Sequence, residues 1–162
     1  MPKIGVVGTP DGWSSEKLAD TIAEMTGYRL LIDMGKVCLN LDEGTAWYKD
    51  TDLSQLDALI IKKVGARYSP DLLDRLEILR FLHEKNLKMF SPPLNIMRVL
   101  DRLSCTITLQ ANDIPMPPTT ITEDVDAAVR TVEKYQEAVF KPLYTSKARG
   151  MIVIKSGPVT QK

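Results

Sequence analysis

Residues 3–32 change character in an order that restricts the fold more than any other feature of the chain. A short apolar run, Ile4-Gly5-Val6-Val7, ends in Gly8-Thr9-Pro10-Asp11-Gly12. Its length and β-branching predict a buried strand. Leu18, Ile22 and Met25 then recur at helical spacing, with Ser14 or Ser15 available as N-cap and Gly27 as the stop. Residues 28–32 predict a second strand. Two strands joined through a helix form the unit from which parallel sheets are built, because a parallel neighbour needs a crossover connection.

The next sixty residues extend that unit. Val37-Cys38-Leu39 and Thr45-Ala46-Trp47-Tyr48 flank Asp42-Glu43-Gly44, which predicts a hairpin. Residues 53–56 predict a helical turn. Residues 57–64 (DALIIKKV) carry the strongest strand signal of the region, with a loop at 65–70. Pro70 stands near a helix start, and Leu72, Leu73, Leu76, Leu79, Arg80 and Leu82 are read as the stripe that packs. Lys88-Met89-Phe90 reads as a short strand closed by Ser91-Pro92-Pro93. The pattern changes there, so the boundary is placed between an α/β domain at 1–92 and a second domain at 93–162. The second is expected to hold a helix over 95–112, a Pro-rich break at 114–118 and a brief strand at 119–121. A helix over 123–136 capped by Thr122, a strand at 138–143, a polar turn at 144–150 and a strand at 151–154 follow.

Composition narrows the function classes. Lys plus Arg (21) equal Asp plus Glu (21), which argues against a broad basic surface for nucleic acid. Cys38 and Cys105 are far apart and His83 is the one histidine, so a Cys/His zinc site is excluded. No apolar run approaches the ~18–20 residues that span a bilayer. Met1-Pro2-Lys3-Ile4 leads into a strand rather than a signal-peptide core. The expectation is a cytoplasmic protein with neither nucleic-acid nor membrane partners. Signatures of dinucleotide binding, P-loops, nucleophile elbows and helical zinc proteases are all absent. His83 reads as a surface residue on a helix flank, and no catalytic residue or metal ligand is assigned.

The segment with chemistry is 138–155. A strand carries Lys141, with Phe140 on the opposite face by alternation. The turn after it carries Lys147, Arg149 and Gly150. A cationic hairpin tip beside a strand lysine suits a polyphosphate, through charge and through free backbone N–H groups in the turn. The alternative is an ordinary solvated hairpin. Arg98 and Arg102 fall four apart and would share one face of the helix at 95–112, toward an anionic ligand or paired locally with Asp101. Arg67, in a loop at a strand's carboxyl end, is placed to hold a substrate carboxylate; its alternative is a solvated loop arginine.

The order of these parts resembles the front of an ATP-grasp enzyme. Ser91-Pro92-Pro93-Leu94-Asn95 closes an α/β domain, and a helix with Asp101-Arg102 follows. Asn112-Asp113-Ile114-Pro115-Met116-Pro117 and Thr119-Thr120 come next, then an amphipathic helix and Val139-Phe140-Lys141-Pro142-Leu143. This is similar to the branch of ribosomal-protein glutamate ligases, and around Lys141 to ATP-grasp proteins of the so-called GAK system. The resemblance covers residues 3–155 and is most specific over 91–143. It implies a pre-ATP-grasp parallel-sheet domain followed by the α+β amino-terminal lobe of an ATP-grasp module. Lys141 then matches the strand lysine that contacts nucleotide phosphate. Arg102 falls where relatives carry a lysine for the nucleotide. Residues 144–150 match the phosphate loop, although only Gly150 is glycine there and Lys147 and Arg149 stand among positions that relatives fill with glycine.

The implied activity is an ATP-dependent carboxylate–amine (or carboxylate–thiol) ligase working through an acyl phosphate. ATP and magnesium are its cofactors, and a carboxylate substrate and an amine acceptor its partners. Relatives continue into a second lobe that supplies the adenine hinge and the magnesium ligands. The expectation is therefore a chain that is part of a longer ligase, or a shortened relative, with the magnesium ligands outside it. One alternative is a non-catalytic binding or homo-oligomerisation module derived from such an enzyme. A second is a flavodoxin-like or response-regulator-like domain, against which the Pro-rich break and the separate hairpin both speak.

Overall fold

A computed structural model of the chain describes residues 1–145 and 148–157. It divides into two compact units, Met1–Leu100 and Asp101–Lys162. No described helix is long and apolar enough to cross a membrane.

The first unit holds strand β1 (Ile4–Val7), helix α1 (Trp13–Thr26), β2 (Leu31–Ile32), β3 (Val37–Asn40), β4 (Thr45–Tyr48) and β5 (Thr51–Asp52). It continues with β6 (Ala58–Ile61), α2 (Asp71–Glu84), β7 (Lys88–Phe90) and α3 (Pro93–Leu100). Strands β2-β1-β6-β7 form a parallel sheet, with Val6 opposite Leu31 on one side and Ile60 on the other. The chain thus winds outward from β1 in both directions. In such sheets ligands bind at the carboxyl ends of the two strands where the order reverses, here β1 and β6. Those two ends are tied together, since the N–H groups of Lys62 and Lys63 both donate to the Val7 carbonyl (2.9 and 3.1 Å).

The apolar periods explain the core. Leu72, Leu76, Leu79 and Leu82 of α2 are buried, at the spacing of a single helix face. They join Val7, Ile32 and Leu59 of the parallel sheet and Ala46 and Tyr48 of β4. The antiparallel β3-β4-β5 excursion therefore packs on the same core, and its turn at 41–44 is the hairpin turn that the sequence predicts. Leu73 departs from the expected stripe and stays exposed. At α1 the cap also differs from expectation. Gly12 holds the N-cap position without a side-chain bond. Ser15 is fully buried, and its Oγ accepts from the Thr9 N–H (3.1 Å), bracing the β1–α1 loop. Gly27 ends α1 as expected, in the left-handed region at φ 71°.

The second unit contains α4 (Arg102–Ala111), α5 (Val125–Tyr135) and the antiparallel pair β8 (Glu137–Phe140) and β9 (Ile152–Lys155). The helix expected over 95–112 is broken. Asp101 is extended (φ −79°, ψ 97°), and its carboxylate accepts from the Ser104 N–H (3.0 Å), so it ends one helix and caps the next. Arg98 and Arg102 consequently lie on different helices and do not share a face. Asp124 rather than Thr122 caps α5, while the Thr122 hydroxyl accepts from the Asp124 N–H. Residues 119–121 form no strand. Extended residues so close behind Pro117 and Pro118 find no ladder to join.

Candidate functional site

The residues singled out by sequence fall in both units. Arg67 is exposed in the loop after β6, in the first unit. That loop starts at Gly65, where an added Cβ would lie 2.7 Å from both Arg75 and Leu72. Arg75 donates to the Val64 carbonyl (3.3 Å), so α2 holds the loop base while the Arg67 side chain remains in solvent. Arg75 went unremarked in the sequence because its partner is a backbone atom.

The second unit gathers Arg102, Lys141 and Gly150 around one turn. β8 pairs with β9 in the register Val139↔Val153 and Phe140↔Ile152. Ala138 and Phe140 are half-buried, and α5 packs along this hairpin. Val139 and Val153 lie opposite each other and are 53% and 57% exposed, which leaves an apolar floor open to solvent. Lys141 stands just beyond the last residue of β8, on the Val139 side by alternation, and is exposed. The apolar floor thus ends in an ammonium.

The turn after Lys141 is anchored at its base. The Arg102 guanidinium donates through Nη1 to the Pro142 carbonyl (3.0 Å) and through Nη2 to the Thr145 carbonyl. The Asp101 cap explains why it can, because the break sets Arg102 at the first position of α4. Arg102 therefore spends its two terminal nitrogens on the loop backbone. On the returning side, Ala148 (φ 57°) and Gly150 (φ 70°) are left-handed, and the Met151 N–H donates to the Ala148 carbonyl (3.3 Å). A Cβ on Gly150 would stand 3.3 Å from Pro142 Cγ, so the two ends of the turn approach each other at the glycine. Arg149 is exposed between the two left-handed residues. Lys147 lies outside the described residues.

Among the described residues no group of three or more His, Cys, Asp and Glu is placed to hold a metal ion. The shifted ionisations belong to the first unit. Hydrogen bonds from the Arg29 side chain and then from the Asp11 N–H hold the Glu16 carboxyl below its ordinary range. Bonds to Asp20 and Glu16 raise Arg29, and bonds to Glu77 and Glu84 raise Arg80.

Solved structures with this arrangement include an ATP-grasp ligase. The ligase PsnB in complex with a minimal precursor aligns with a TM-score of 0.71 at 14% identity, over 95% of this chain and 56% of that one. D-alanyl-alanine synthetase A from Vibrio cholerae aligns at 0.63 and 15% identity, over 96% of this chain and 53% of that one. By sequence, the chain is 26% identical over 166 residues to tetrahydromethanopterin:alpha-L-glutamate ligase from Methanosarcina acetivorans, covering 98% of this chain and 51% of the relative. The Methanocaldococcus jannaschii enzyme of the same name is 28% identical over 124 residues, 76% of this chain and 40% of the relative. No family model matches. The chain has the fold of an ATP-grasp ligase. It is similar, in particular, to the archaeal glutamate ligases, and it spans about half the length of the curated relatives that it matches.

Proposed function

We propose that residues 1–157 form the front of an ATP-dependent carboxylate–amine ligase, with the nucleotide lying on the open face of β8 and β9. The observation that carries this reading is the β8–β9 register, which sets Val139 and Val153 side by side on the solvent face and continues that face to Lys141. The base lies over the valines, and Lys141 neutralises phosphate charge. Arg102 holds the turn through Pro142 and Thr145, so that Arg149 and the backbone around Gly150 lie over the phosphates. This gives Arg102 a positioning role in place of a direct phosphate contact.

In the overall reaction a substrate carboxylate oxygen attacks the γ-phosphorus of ATP and ADP leaves. An amine then attacks the acyl carbon and phosphate leaves as the amide bond forms. Magnesium supplies charge neutralisation between the phosphates in this chemistry. Among the described residues no group of three or more His, Cys, Asp and Glu is placed to hold it, and its ligands are assigned here to the rest of the ligase. This chain contributes preorganised positive charge where negative charge develops on the oxygens of the transferring phosphoryl group. The relatives' names support glutamate as the amine acceptor and a pterin-containing acid as the carboxylate substrate.

The test is ADP release by the complete polypeptide that contains these residues, with a pterin-containing acid as carboxylate substrate and glutamate as amine, compared with its Lys141→Ala variant. The reading expects turnover to fall at least ~100-fold, the order seen when a preorganised charge on a transition state is removed. Full turnover in the variant would overturn the assignment of Lys141.

A further inference from the structure

Helix α1 carries its charges on two flanks. Glu16 and Asp20 are both bonded to Arg29 (2.6 and 2.8 Å), so the carboxylates of that flank are neutralised. The other flank repeats Trp13, Lys17 and Thr21 at one-turn spacing. Together with Ser14, Leu18 and Lys62 these residues line an open groove of about 300 Å³. Lys62 immediately follows β6, at the strand end that is tied to β1. The groove therefore borders the carboxyl ends of the two strands where the sheet order reverses.

Three properties define what such a groove takes. Trp13 is 82% exposed, and an indole in water beside Leu18 offers a large π face for a planar ring. Lys17 and Lys62 line the same groove and form none of the ion pairs found among the described residues, so two like charges share it. An anion relieves that repulsion. The N–H groups of Ser15 and Glu16 are bonded to the Gly12 carbonyl and that of Thr9 to Ser15 Oγ. Those bonds fix the loop, so the indole is presented from a rigid base. The volume is at the low end for small-molecule sites.

We propose that this groove binds a planar heteroaromatic acid, its ring against Trp13 and its carboxylate or phosphate between Lys17 and Lys62. Its identity as the ligase's carboxylate substrate rests on the reading above; the binding itself does not. Pteroylglutamate is a suitable probe, since it carries both a ring and carboxylates. The chain's two tryptophans give two indole N–H signals in a ¹H–¹⁵N spectrum. Trp47, whose Nε1 donates to Thr45 Oγ1 (3.0 Å), is an internal reference. Titration with pteroylglutamate should move the Trp13 signal and leave Trp47 in place. Trp13→Ala should weaken binding, followed by calorimetry, ~10-fold or more, the order of a lost base-stacking contact. Lys17→Glu and Lys62→Glu should each weaken it, increasingly so at low salt. All three positions are exposed, so the variants should keep the fold, which the unchanged Trp47 signal reports.

A stationary Trp13 signal with the probe would overturn the proposal, as would unchanged affinity in both lysine variants. Glutamate alone moving Trp13 equally would overturn the role of the ring. MgATP moving Trp13 while leaving β8 and β9 unmoved would overturn both this proposal and the nucleotide reading. MgATP moving β8 and β9 with no response to the probe would leave the ligase reading standing and this groove without its ligand.

Discussion

Arg102 carries two bonds across 40 and 43 residues of chain, and removing it should loosen one defined end of the hairpin. A hydrogen bond from a charged donor contributes ~1.5–3 kcal/mol. Arg102 is part-exposed and the freed carbonyls become accessible to water, so ~1 kcal/mol per bond, or ~2 kcal/mol for the pair, is the reasonable magnitude. Arg102→Ala costs little elsewhere, since alanine is the best helix former and the Asp101 cap does not use the arginine side chain. The readout is amide hydrogen exchange at Met151 and at the Phe140–Ile152 pair, which close the hairpin beside the turn. At ~1.4 kcal/mol per factor of ten, exchange there should speed up ~30-fold. Arg102→Lys offers a point charge in place of a fork and should give an intermediate rate. The Ser156 amide, bonded to the Gln136 carbonyl at the far end of the hairpin, should change least. Equal acceleration at both ends would mean that Arg102 stabilises the unit as a whole, and no change at Met151 would refute the anchoring role.

Other consequences are as specific. Gly8→Ala places a Cβ within 2.7 Å of Ser15 Cβ and 2.9 Å of Leu31, so it should destabilise the first unit by ~1–3 kcal/mol in urea unfolding. Leu79→Ala, at a fully buried site in the core, should cost ~2–5 kcal/mol by the same measurement. Glu16 has a folded pKa below its unfolded value, so its contribution is complete above ~4.3 and is lost as pH falls through the lower folded value. Thermal unfolding of the wild type should therefore show a steeper acid fall than Glu16→Gln, and parallel curves would contradict the Arg29 and Asp11 bonds as its cause.

Much of the first unit was legible because its information is local. Val6 and Val7 announce a buried strand, Gly27 a helix stop, and the α2 leucines a single face. The β2-β1-β6-β7 order could not be read, since register between strands is set by packing across the chain. The break at Asp101 was hidden because Ile96, Val99, Leu100, Leu103 and Ile107 keep a helical period straight through it. The capping carboxylate was in view, but the apolar stripe outweighed it. Lys141 stood out through its apolar neighbours. The commitment of Arg102 to Pro142 and Thr145 did not, because carbonyl partners forty residues away leave no trace in the pattern of side chains. The groove at Trp13 was equally invisible, for it exists only once Lys62 is brought beside α1.

The central claim is that nucleotide lies on the open face of β8 and β9 at Lys141. The most direct measurement is the map of backbone amide shifts in this protein when magnesium and a non-hydrolysable ATP analogue are added. The account predicts shifts concentrated at Val139, Lys141, Val153 and the residues from Arg149 to Met151, and their loss in Lys141→Ala. Saturable binding whose shifts fall elsewhere and survive Lys141→Ala would contradict it.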